Sequence, residues 1–508
     1  MAKKRLLIIG AAQQRCIKDY LSKVDFNSTE VHLLVPERDR DAYDLKRVTY
    51  FNGTFHPLFP PLLKSILFFR PDEVIIICGI TYDHDNVVRA VSFYSFFNKT
   101  NIFISVREDI SPVDSRFPSP LKEILKWSTL SLIASLIKFL SPFKKVRVGE
   151  IYSERLGHMV MDSEIYLSEA EAGQHALSFD LFCFKDNKTA NKTLAEVLSR
   201  QMRIYSFNRY ILEAIRVFNM CEEHEIILNT RTAASGRDVN CALTQSGIHL
   251  SFTSDQKAKG IKEYKNLGCD PEKPHVCLLG RDSAYLNSVS PQFNDEDMQR
   301  IRNMDIETFI PCANELAERG YNVLRMGSIV AKELEVDHSG FVDYATSGKR
   351  SDFMDIYLPA TCAFFVGVQS GPMHIPMAFR IPCLSINVAQ LEMIPFCSEH
   401  DLAIFKLIWS RREKRILTIS EIVDSGMARW RVEKYYDPDL ELIDNTEDEI
   451  MEAAREMHLR VTGDWKMSPD DLNLQKRFHA KFKPSFLNSR FISPISTFFL
   501  RKHEKELF

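Results

Sequence analysis

The stretch FFVGVQSGPMHIPMAFRIPCLSIN, residues 364–387, reads as a buried strand, a short break, a helix and a second buried strand. Continuous apolar runs of this length are typical of parallel strands that are covered on both faces. The break suits the start of a helix, with Ser370 as N-cap and Pro372 in the first turn. Gly371 would keep side-chain bulk away from a ligand at unpaired N–H groups, although the same residues also simply make an efficient helix start.

Working outward, the same alternation of strands and helices extends over residues 266–460. Strands are expected at HVCLLG (275–280) and YNVLRMG (321–327), with helices over about 305–319 and 352–361. In a doubly wound sheet, ligands bind at the carboxyl ends of the strands. The residues there are Arg281-Asp282-Ser283, Arg325-Met326-Gly327 and Gln369-Ser370-Gly371. Two arginines and a helix N-terminus predict a phosphate-bearing ligand.

The rest of the chain predicts further α/β segments. Four apolar runs in the first 110 residues (KRLLIIG, EVHLLVP, EVIIICG and NIFISV) indicate a small parallel sheet. The turn after the first strand lacks the G-x-G-x-x-G fingerprint of dinucleotide sites. The predicted organisation is an N-terminal accessory domain (1–115), an apolar linker helix (116–143), two α/β domains (144–265 and 266–460) and a C-terminal extension (461–508).

Two segments have an alternative membrane interpretation. PLKEILKWSTLSLIASLIKFLSPF (120–143) is apolar on most sides, so it predicts either a buried linker helix or a helix lying in a membrane plane. The segment after residue 475 interleaves basic residues with phenylalanines. This composition predicts either a segment that packs on the rest of the protein with its cations facing outward, or a segment that contacts anionic lipid.

Composition narrows the class of protein. The 508 residues are 45% hydrophobic and 26% charged with a net charge of -3, which indicates a globular protein of more than one domain and excludes nucleic acid as main partner. The 11 cysteines form no C-x-x-C pair, and a reduced, cytosolic location is expected. The basic N-terminus is better explained as a first strand than as a signal peptide, and no apolar run is long enough to span a membrane.

Several separated blocks resemble a family of bacterial glycosyltransferases linked to surface-polysaccharide synthesis. These blocks are GRDSAYL (280–286), RNMDIETFIPCANELAERGYNVLRMG (302–327), VDYATSGKRSDFMDIYLPATCAFFVGVQSG (342–371) and, upstream, VRVGEIYSERLGHMVMDSEIYL. The segment SGPMH is also similar to heptosyltransferases, and Arg281, Asp352 and Ser370 to fucosyltransferases. The resemblance implies a GT-B architecture of two Rossmann-like domains, preceded here by the additional N-terminal α/β domain.

The resemblance implies a nucleotide-sugar donor on residues 266–460 and a glycan or lipid-linked acceptor on the domain from 144. GT-B enzymes need no metal, so no metal or other cofactor is expected, and Asp83-x-Asp85 and Asp437-x-Asp439 are interpreted as surface turns. Arg281 and Arg325 are predicted to bind the donor diphosphate as charge grows on it. The other predicted donor contacts are Asp282, Ser283, Gly327, Asp352, Gln369, Ser370, Gly371 and His374. For Asp352 and His374, helix capping and ordinary packing are equally good explanations.

The general base is sought in the loop SERLGH. Histidine titrates near neutrality, which favours His158, with Glu154, Asp162 and Glu164 as rivals; a retaining enzyme would need no such base. The predicted function is transfer of a sugar to a glycan or lipid-linked acceptor, in the cytoplasm or on the inner face of the cytoplasmic membrane. Two alternatives share the phosphate site: a sugar-nucleotide epimerase or hydrolase, and a non-catalytic nucleotide-sugar-binding protein.

Overall fold

The computed structural model describes most of the chain in two compact units. Described residues are 3–11, 14–36, 45, 48–51, 69, 71–78, 101–106, 109–112, 120–175, 177–228, 237–289, 301–394, 398–429, 435, 437–484 and 491–508. The first unit comprises residues 1–148 and 207–226, and the second comprises residues 149–206 and 227–508. The second unit therefore contains both 149–206 and 266–460, so the boundary predicted at 265 does not separate compact units.

The first unit contains a six-stranded sheet in the order β3-β2-β1-β4-β5-β6. Its neighbouring strands are parallel except for β5 and β6, and Ile8 on β1 lies opposite both Leu33 and Ile75. The four apolar runs predicted as strands are all strands of this sheet. The bounds are β1 (Lys4–Ala11), α1 (Gln14–Ser22), β2 (Thr29–Pro36), β3 (Val48–Phe51), β4 (Glu73–Cys78), β5 (Asn101–Val106) and β6 (Asp109–Pro112).

The apolar segment forms a long helix in the same unit, α2 (Pro120–Leu140). It packs against the helix Asn208–Val217 of the same unit. The Lys126 ammonium lies 2.6 Å from the Glu213 carboxylate. Only a narrow side of α2 is buried, whereas Leu132 and Phe139 are 71% and 70% exposed. The prediction that this helix buries most of its circumference is therefore wrong.

The chain from 144 to 265 contains short strands and several helices. The strands are β7 (Val146–Ile151), β8 (Phe179–Phe184) and β9 (Glu225–Ile226). The boundary between the two units falls within β7. The helices are α3 (Leu156–Glu171), α4 (Lys192–Gln201), α5 (Asn208–Val217), α6 (Cys221–His224) and α7 (Ser254–Asn266). In the described part of this segment, the three strands form a sheet in the order β8-β7-β9.

The second unit contains a six-stranded parallel sheet in the order β12-β11-β10-β13-β14-β15. On the central strand, Leu278 lies opposite Arg325 on one side and Val366 on the other. The fold is thus α/β, as the sequence predicts, and the opening stretch supplies two neighbouring inner strands. The bounds are β10 (His275–Leu279), β11 (Asn322–Arg325), β12 (Phe341–Val342), β13 (Phe364–Val368), β14 (Cys383–Val388) and β15 (Leu402–Phe405).

Helices and a small antiparallel sheet complete this unit. A single hydrophobic core joins the strands to helices from the end of the chain, with Phe478 and Phe499 fully buried. The helices are α8 (Ala284–Val289), α9 (Ile310–Glu318), α10 (Met354–Thr361), α11 (His374–Ala378), α12 (Ile419–Asp424), α13 (Glu447–Thr462), α14 (Pro469–His479), α15 (Thr497–Lys502) and α16 (Glu504–Leu507). The small sheet is formed by β16 (Leu407–Ser410), β17 (Arg415–Ile416) and β18 (Leu440–Ile443).

The C-terminal extension packs on this core in its described parts. Its aromatic rings lie inside, and its cations pair with carboxylates, as Lys502 does with Glu449 at 2.7 Å. The interpretation as a segment packed on the protein is confirmed for these residues. Asp437 and Asp439 form an exposed turn before β18, where the Asp439 N–H donates to the Asp437 carboxylate. Asp83 and Asp85 lie outside the described residues.

The structure bears on two expectations, the absence of a membrane-spanning helix and the state of the cysteines. Within the described ranges, no helix has both the length and the apolar content to cross a membrane. Seven described cysteines are free, whereas Cys241 is disulfide-bonded, so the expectation of free thiols throughout fails at that position.

Candidate functional site

The predicted catalytic loop and the opening stretch meet at two glycines. A methyl group on Gly157, at the start of α3, would lie 2.8 Å from the Cα atom of Gly371. Contacts that short do not occur between real side chains and backbone, so the two turns approach this closely only because residue 157 is a glycine. A methyl group on Gly371 would lie 3.3 Å from the Gly157 nitrogen, which is tight but not excluded. The sequence assigned Gly371 to a ligand contact, whereas in the structure its missing side chain makes room for α3.

A half-buried arginine fixes α3 in this position. The Arg380 guanidinium, which follows α11, lies 2.9 Å from the Glu164 carboxylate and donates to the Ser168 hydroxyl at 3.0 Å. The His249 imidazole lies 3.1 Å from the same carboxylate, whose side chain is fully buried. Glu164 therefore holds elements together and is not placed to act as a general base.

His158 lies one turn into α3 beside a buried carboxylate. Its Nδ1 atom is 3.5 Å from Asp162 Oδ2, and the edge of the Tyr152 ring packs against its imidazole. The His158 side chain is 27% exposed, whereas that of Asp162 is 1% exposed. A carboxylate at Nδ1 orients a histidine and leaves Nε2 to accept a proton, which is the arrangement of a general base. Glu154, the remaining rival, lies near Lys185 at 3.5 Å.

His374 is the second histidine near Asp162. Its Nδ1 atom is buried, and a methyl group on Gly157 would lie 2.7 Å from that nitrogen. Burial lowers the pKa of His374 from 6.5 to about 4, with the His158 imidazole adding to the effect and Asp162 opposing it. His374 is therefore neutral at physiological pH and packs the junction between the two turns.

Three arginines lie close together in the second unit. Burial, followed by the charges of Arg302 and Arg155, lowers the pKa of Arg281 to about 10. Burial and the charge of Arg155 also lower the pKa of Arg302. Arg281 follows β10, and its carbonyl accepts from the Met304 N–H at 3.1 Å, which ties it to the loop that carries Arg302. Clustered guanidinium groups repel one another, so a polyanion bound among them would be stabilised strongly.

Arg155 and Arg302 were not assigned a role from the sequence. Arg155 lies in the loop SERLGH, directly before α3, and Arg302 begins one of the blocks that carry the family resemblance. The sequence analysis considered residues that directly follow a strand of the large sheet, and neither arginine does so. An arginine three residues before the predicted base was the available signal for Arg155.

Arg325 is placed differently from the sequence-based expectation. Its side chain is 1% exposed and its Nη1 atom lies 3.1 Å from Asp343 Oδ2. The same carboxylate accepts from the Leu334 N–H at 2.8 Å. As the last residue of β11, Arg325 points into the protein and holds two loops, so its position gives no support to a diphosphate contact.

We expect Arg325→Ala to destabilise the fold by about 3–5 kcal/mol, because removing one partner of a buried pair leaves the other charge uncompensated. Urea unfolding measures this loss. Arg411→Ala is the matched control, since Arg411 forms a surface ion pair whose contribution should be about 1 kcal/mol or less. Unchanged stability of Arg325→Ala together with lost ligand binding would restore the original assignment.

Three other predicted donor contacts have local structural roles. The Asp282 carboxylate accepts from the N–H groups of Ala284 and Ala331, each at 2.8 Å, and so joins two loops. The Ser283 carbonyl accepts from the Asn287 N–H in α8. A methyl group on Gly327 would lie 2.6 Å from Val330. These residues shape the edge of the sheet.

The turn after β13 differs in detail from the prediction. Gly371–Met373 form a 3₁₀ turn and α11 has only five residues, so no long helix begins at this break. The Ser370 hydroxyl donates to the Val368 carbonyl at 3.3 Å and does not cap the turn, contrary to the predicted N-cap role. Gln369, which precedes it, is half-buried.

Asp352 is exposed just before α10. The neighbouring Ser351 hydroxyl accepts from the Met354 N–H at the start of this helix. The Asp352 carbonyl accepts from the Asn191 side-chain amide at 2.7 Å. A contact between the Asp352 carboxylate and the donor nucleoside stays a prediction.

The pH dependence of stability should reveal His374. Its pKa is lower in the folded protein than in the unfolded chain, so the unfolded chain binds the extra proton as the pH falls below 6.5. Stability from this residue is complete above that value and lost toward pH 4, by about 2 kcal/mol between pH 7 and pH 5.

Urea unfolding of wild type and His374→Gln at both pH values measures this loss. The difference between the two proteins isolates His374, because His275, with a pKa lowered to about 4, and Asp401, with a pKa raised to about 7, are present in both. An identical pH slope in both proteins would contradict the burial of a neutral His374.

Comparisons with known proteins were made on sequence and on structure. No protein-family model matches the sequence, and no curated protein matches it. A glycosyl transferase family 9 protein from Veillonella parvula is similar at a TM-score of 0.38 and 13% identity, over 62% of this chain and 98% of that one. The ADP-heptose lps heptosyltransferase II of E. coli is similar at a TM-score of 0.22 and 12% identity, over 75% and 84%.

The wall teichoic acid polymerase TagF is similar at a TM-score of 0.22 and 9% identity, over 91% of this chain and 90% of that one. At TM-scores this low, the likenesses carry no argument about this chain's activity or substrate.

Proposed function

We propose that this chain is a glycosyltransferase of GT-B type that moves a sugar from a nucleotide-sugar donor to a glycan or lipid-linked acceptor in surface-polysaccharide synthesis. The observation that carries the proposal is the proximity of Arg155, Arg281 and Arg302 in the unit that contains His158 and Asp162. A diphosphate leaving group needs cations, and an acceptor hydroxyl needs a base. Both requirements are met by residues at the start of α3 and at the carboxyl edge of the large sheet.

In the proposed reaction, the arginines hold the donor diphosphate. The bond between the anomeric carbon and the diphosphate oxygen breaks, and negative charge grows on that oxygen. Guanidinium groups fixed by burial stabilise the growing charge without reorganisation, so they act more strongly on the transition state than on the bound donor. The nucleoside diphosphate then leaves with both electrons of the broken bond.

His158 is the proposed general base. Its Nε2 atom takes the proton of the acceptor hydroxyl as that oxygen bonds to the anomeric carbon, while Asp162 at Nδ1 orients the ring and stabilises the imidazolium that forms. A single base on the acceptor side suits inversion of the anomeric carbon. The proposal includes no metal, because the arginines supply the charge neutralisation.

The architecture gives further support. Each unit contains a six-stranded sheet, in residues 4–112 and 275–405, whereas the described strands between residues 144 and 265 form a sheet of three strands, β8-β7-β9. We therefore assign the two Rossmann-like halves of the GT-B type to these two sheets. We further propose that the protein acts in the cytoplasm at the inner face of the cytoplasmic membrane.

Incubation with a panel of nucleotide sugars, with and without membrane and glycan extracts, tests the function. We expect release of the nucleoside diphosphate to require the extract, and mass spectrometry to find the sugar in a larger product. Rapid isomerisation or hydrolysis of a nucleotide sugar without extract would contradict transfer and favour an epimerase or hydrolase. The variant His158→Ala serves as a control for contaminating activity.

A further inference from the structure

The helix α2 carries an exposed apolar stripe that the proposed reaction does not use. We define the exposed stripe as Leu125, Leu132, Leu136 and Phe139, which are 59%, 71%, 55% and 70% exposed. Their spacings of seven, four and three residues place all four on one side of the helix. Large apolar side chains grouped in this way on a solvent-exposed surface indicate an interaction site.

The opposite side of α2 is buried, which fixes the direction of the stripe. Leu130, Ala134 and Ile137 are between 1% and 4% exposed and lie on the side away from the stripe. The first unit therefore holds the helix by one side only. The exposed stripe is not needed to hold α2 on the protein, because the opposite side of the helix is already buried.

Two hydroxyl groups beside the stripe are paired within the helix. Thr129 donates to the Leu125 carbonyl and Ser135 donates to the Ser131 carbonyl, each at 2.8 Å. A hydroxyl that bonds to the carbonyl four residues earlier needs no water, so it can enter an apolar medium at low cost. The polar residues that border the stripe are thus compatible with burial in lipid.

The charges on the helix and directly after it are mostly positive. Residues 120–149 include one acidic residue, Glu123, and six basic residues, namely Lys122, Lys126, Lys138, Lys144, Lys145 and Arg147. Lys126 is paired with Glu213. Lys138 and Lys144 are exposed near the end of the helix. Phe143, which follows the helix, is 80% exposed beside these lysines. Apolar side chains next to lysines match an anionic bilayer surface, where the chains enter the lipid and the ammonium groups meet the headgroups.

We propose that α2 lies flat on an anionic lipid bilayer, with the exposed stripe and Phe143 in the boundary between headgroups and acyl chains. The partner is a lipid surface and not a second copy of this chain, because a surface with an excess of positive charge repels its own copy but is attracted by anionic headgroups. The inference extends the proposed membrane location to a defined surface. It uses no residue of the arginine cluster or of the His158 site, so the two proposals fail separately.

Flotation of the full chain with vesicles tests this surface. We expect the wild type to float with vesicles of phosphatidylglycerol and phosphatidylethanolamine, and Leu132→Gln/Leu136→Gln/Phe139→Gln to bind at least about tenfold more weakly. The matched control is Leu177→Gln/Ile248→Gln/Ile261→Gln, three apolar residues that are 101%, 52% and 47% exposed elsewhere. Circular dichroism melting checks that both triple variants fold.

A charge variant separates the apolar from the electrostatic contribution. Lys138→Glu/Lys145→Glu should weaken binding to the anionic vesicles at least about fivefold and change little on vesicles of phosphatidylcholine alone. Failure of the wild type to float, or equal flotation of the wild type and the stripe variant, would overturn the proposal. A dimer seen by sedimentation that the stripe variant abolishes, without vesicle binding, would assign the stripe to a second copy of the chain instead.

Discussion

Replacing Arg281 with alanine should lower kcat/KM for the nucleotide-sugar donor by about a hundredfold or more. The guanidinium is half-buried at the end of β10, and its pKa is lowered by burial and by the charges of Arg302 and Arg155. Water screens the charge of a guanidinium poorly in such surroundings. Removing the Arg281 side chain should therefore lower the rate more than removing a surface arginine. Initial rates at varied donor concentration, with the acceptor extract held constant, measure the effect.

Two further variants define what Arg281 supplies. Arg281→Lys keeps the charge but loses the planar fork of donors, so its activity should lie between those of wild type and Arg281→Ala. Arg411→Ala removes an exposed arginine from the same unit and should leave the rate unchanged. Wild-type activity in Arg281→Ala would show that the diphosphate does not bind at the arginine cluster.

The second large effect is expected at His158. His158→Ala should lower kcat by about 10²–10⁴-fold and leave the donor KM nearly unchanged, because the base acts on the acceptor hydroxyl and not on the diphosphate. Added imidazole should restore part of the rate, since a free base can enter the space that the side chain leaves.

Asp162 is a positioning residue in this account. Asp162→Asn should lower kcat with little change in donor KM, and imidazole should not restore it because the His158 ring is still present. His400→Ala, which removes an exposed histidine far along the chain, is the control for general effects of losing an imidazole. Normal kcat in His158→Ala would remove the base from the mechanism and favour a retaining enzyme.

The sheets could be predicted from the sequence because their strands are unbroken apolar runs. β10, β13 and β14 are buried at every position, which is the pattern that distinguishes a covered parallel strand. The side of α2 that faces the protein was not predictable in the same way. The sequence is apolar around most of the helix, and only the position of α5 determines that Leu130 is inside and Leu132 outside.

The site could be predicted only in part, because its members come from distant parts of the chain. Arg281 and His158 were found by their positions after a strand and at a helix start. Arg155 lies 147 positions before Arg302 (302 − 155), and no spacing rule connects them. The position of Arg325 could not be predicted, because an arginine at the end of a strand can point either into the protein or toward a ligand. Its partner Asp343 is brought to it only by the tertiary structure.

Binding of free nucleotides tests the central claim most directly, namely that the arginine cluster is a nucleoside diphosphate site. The measurement is the melting temperature of the wild type and Arg281→Ala with UDP, GDP, ADP, CMP and dTDP, because a ligand that binds only the folded protein stabilises it in proportion to the logarithm of its occupancy term. We expect at least one nucleoside diphosphate to raise the melting temperature of the wild type and to have little effect on Arg281→Ala. No shift with any of them, or equal shifts in both proteins, would contradict the account.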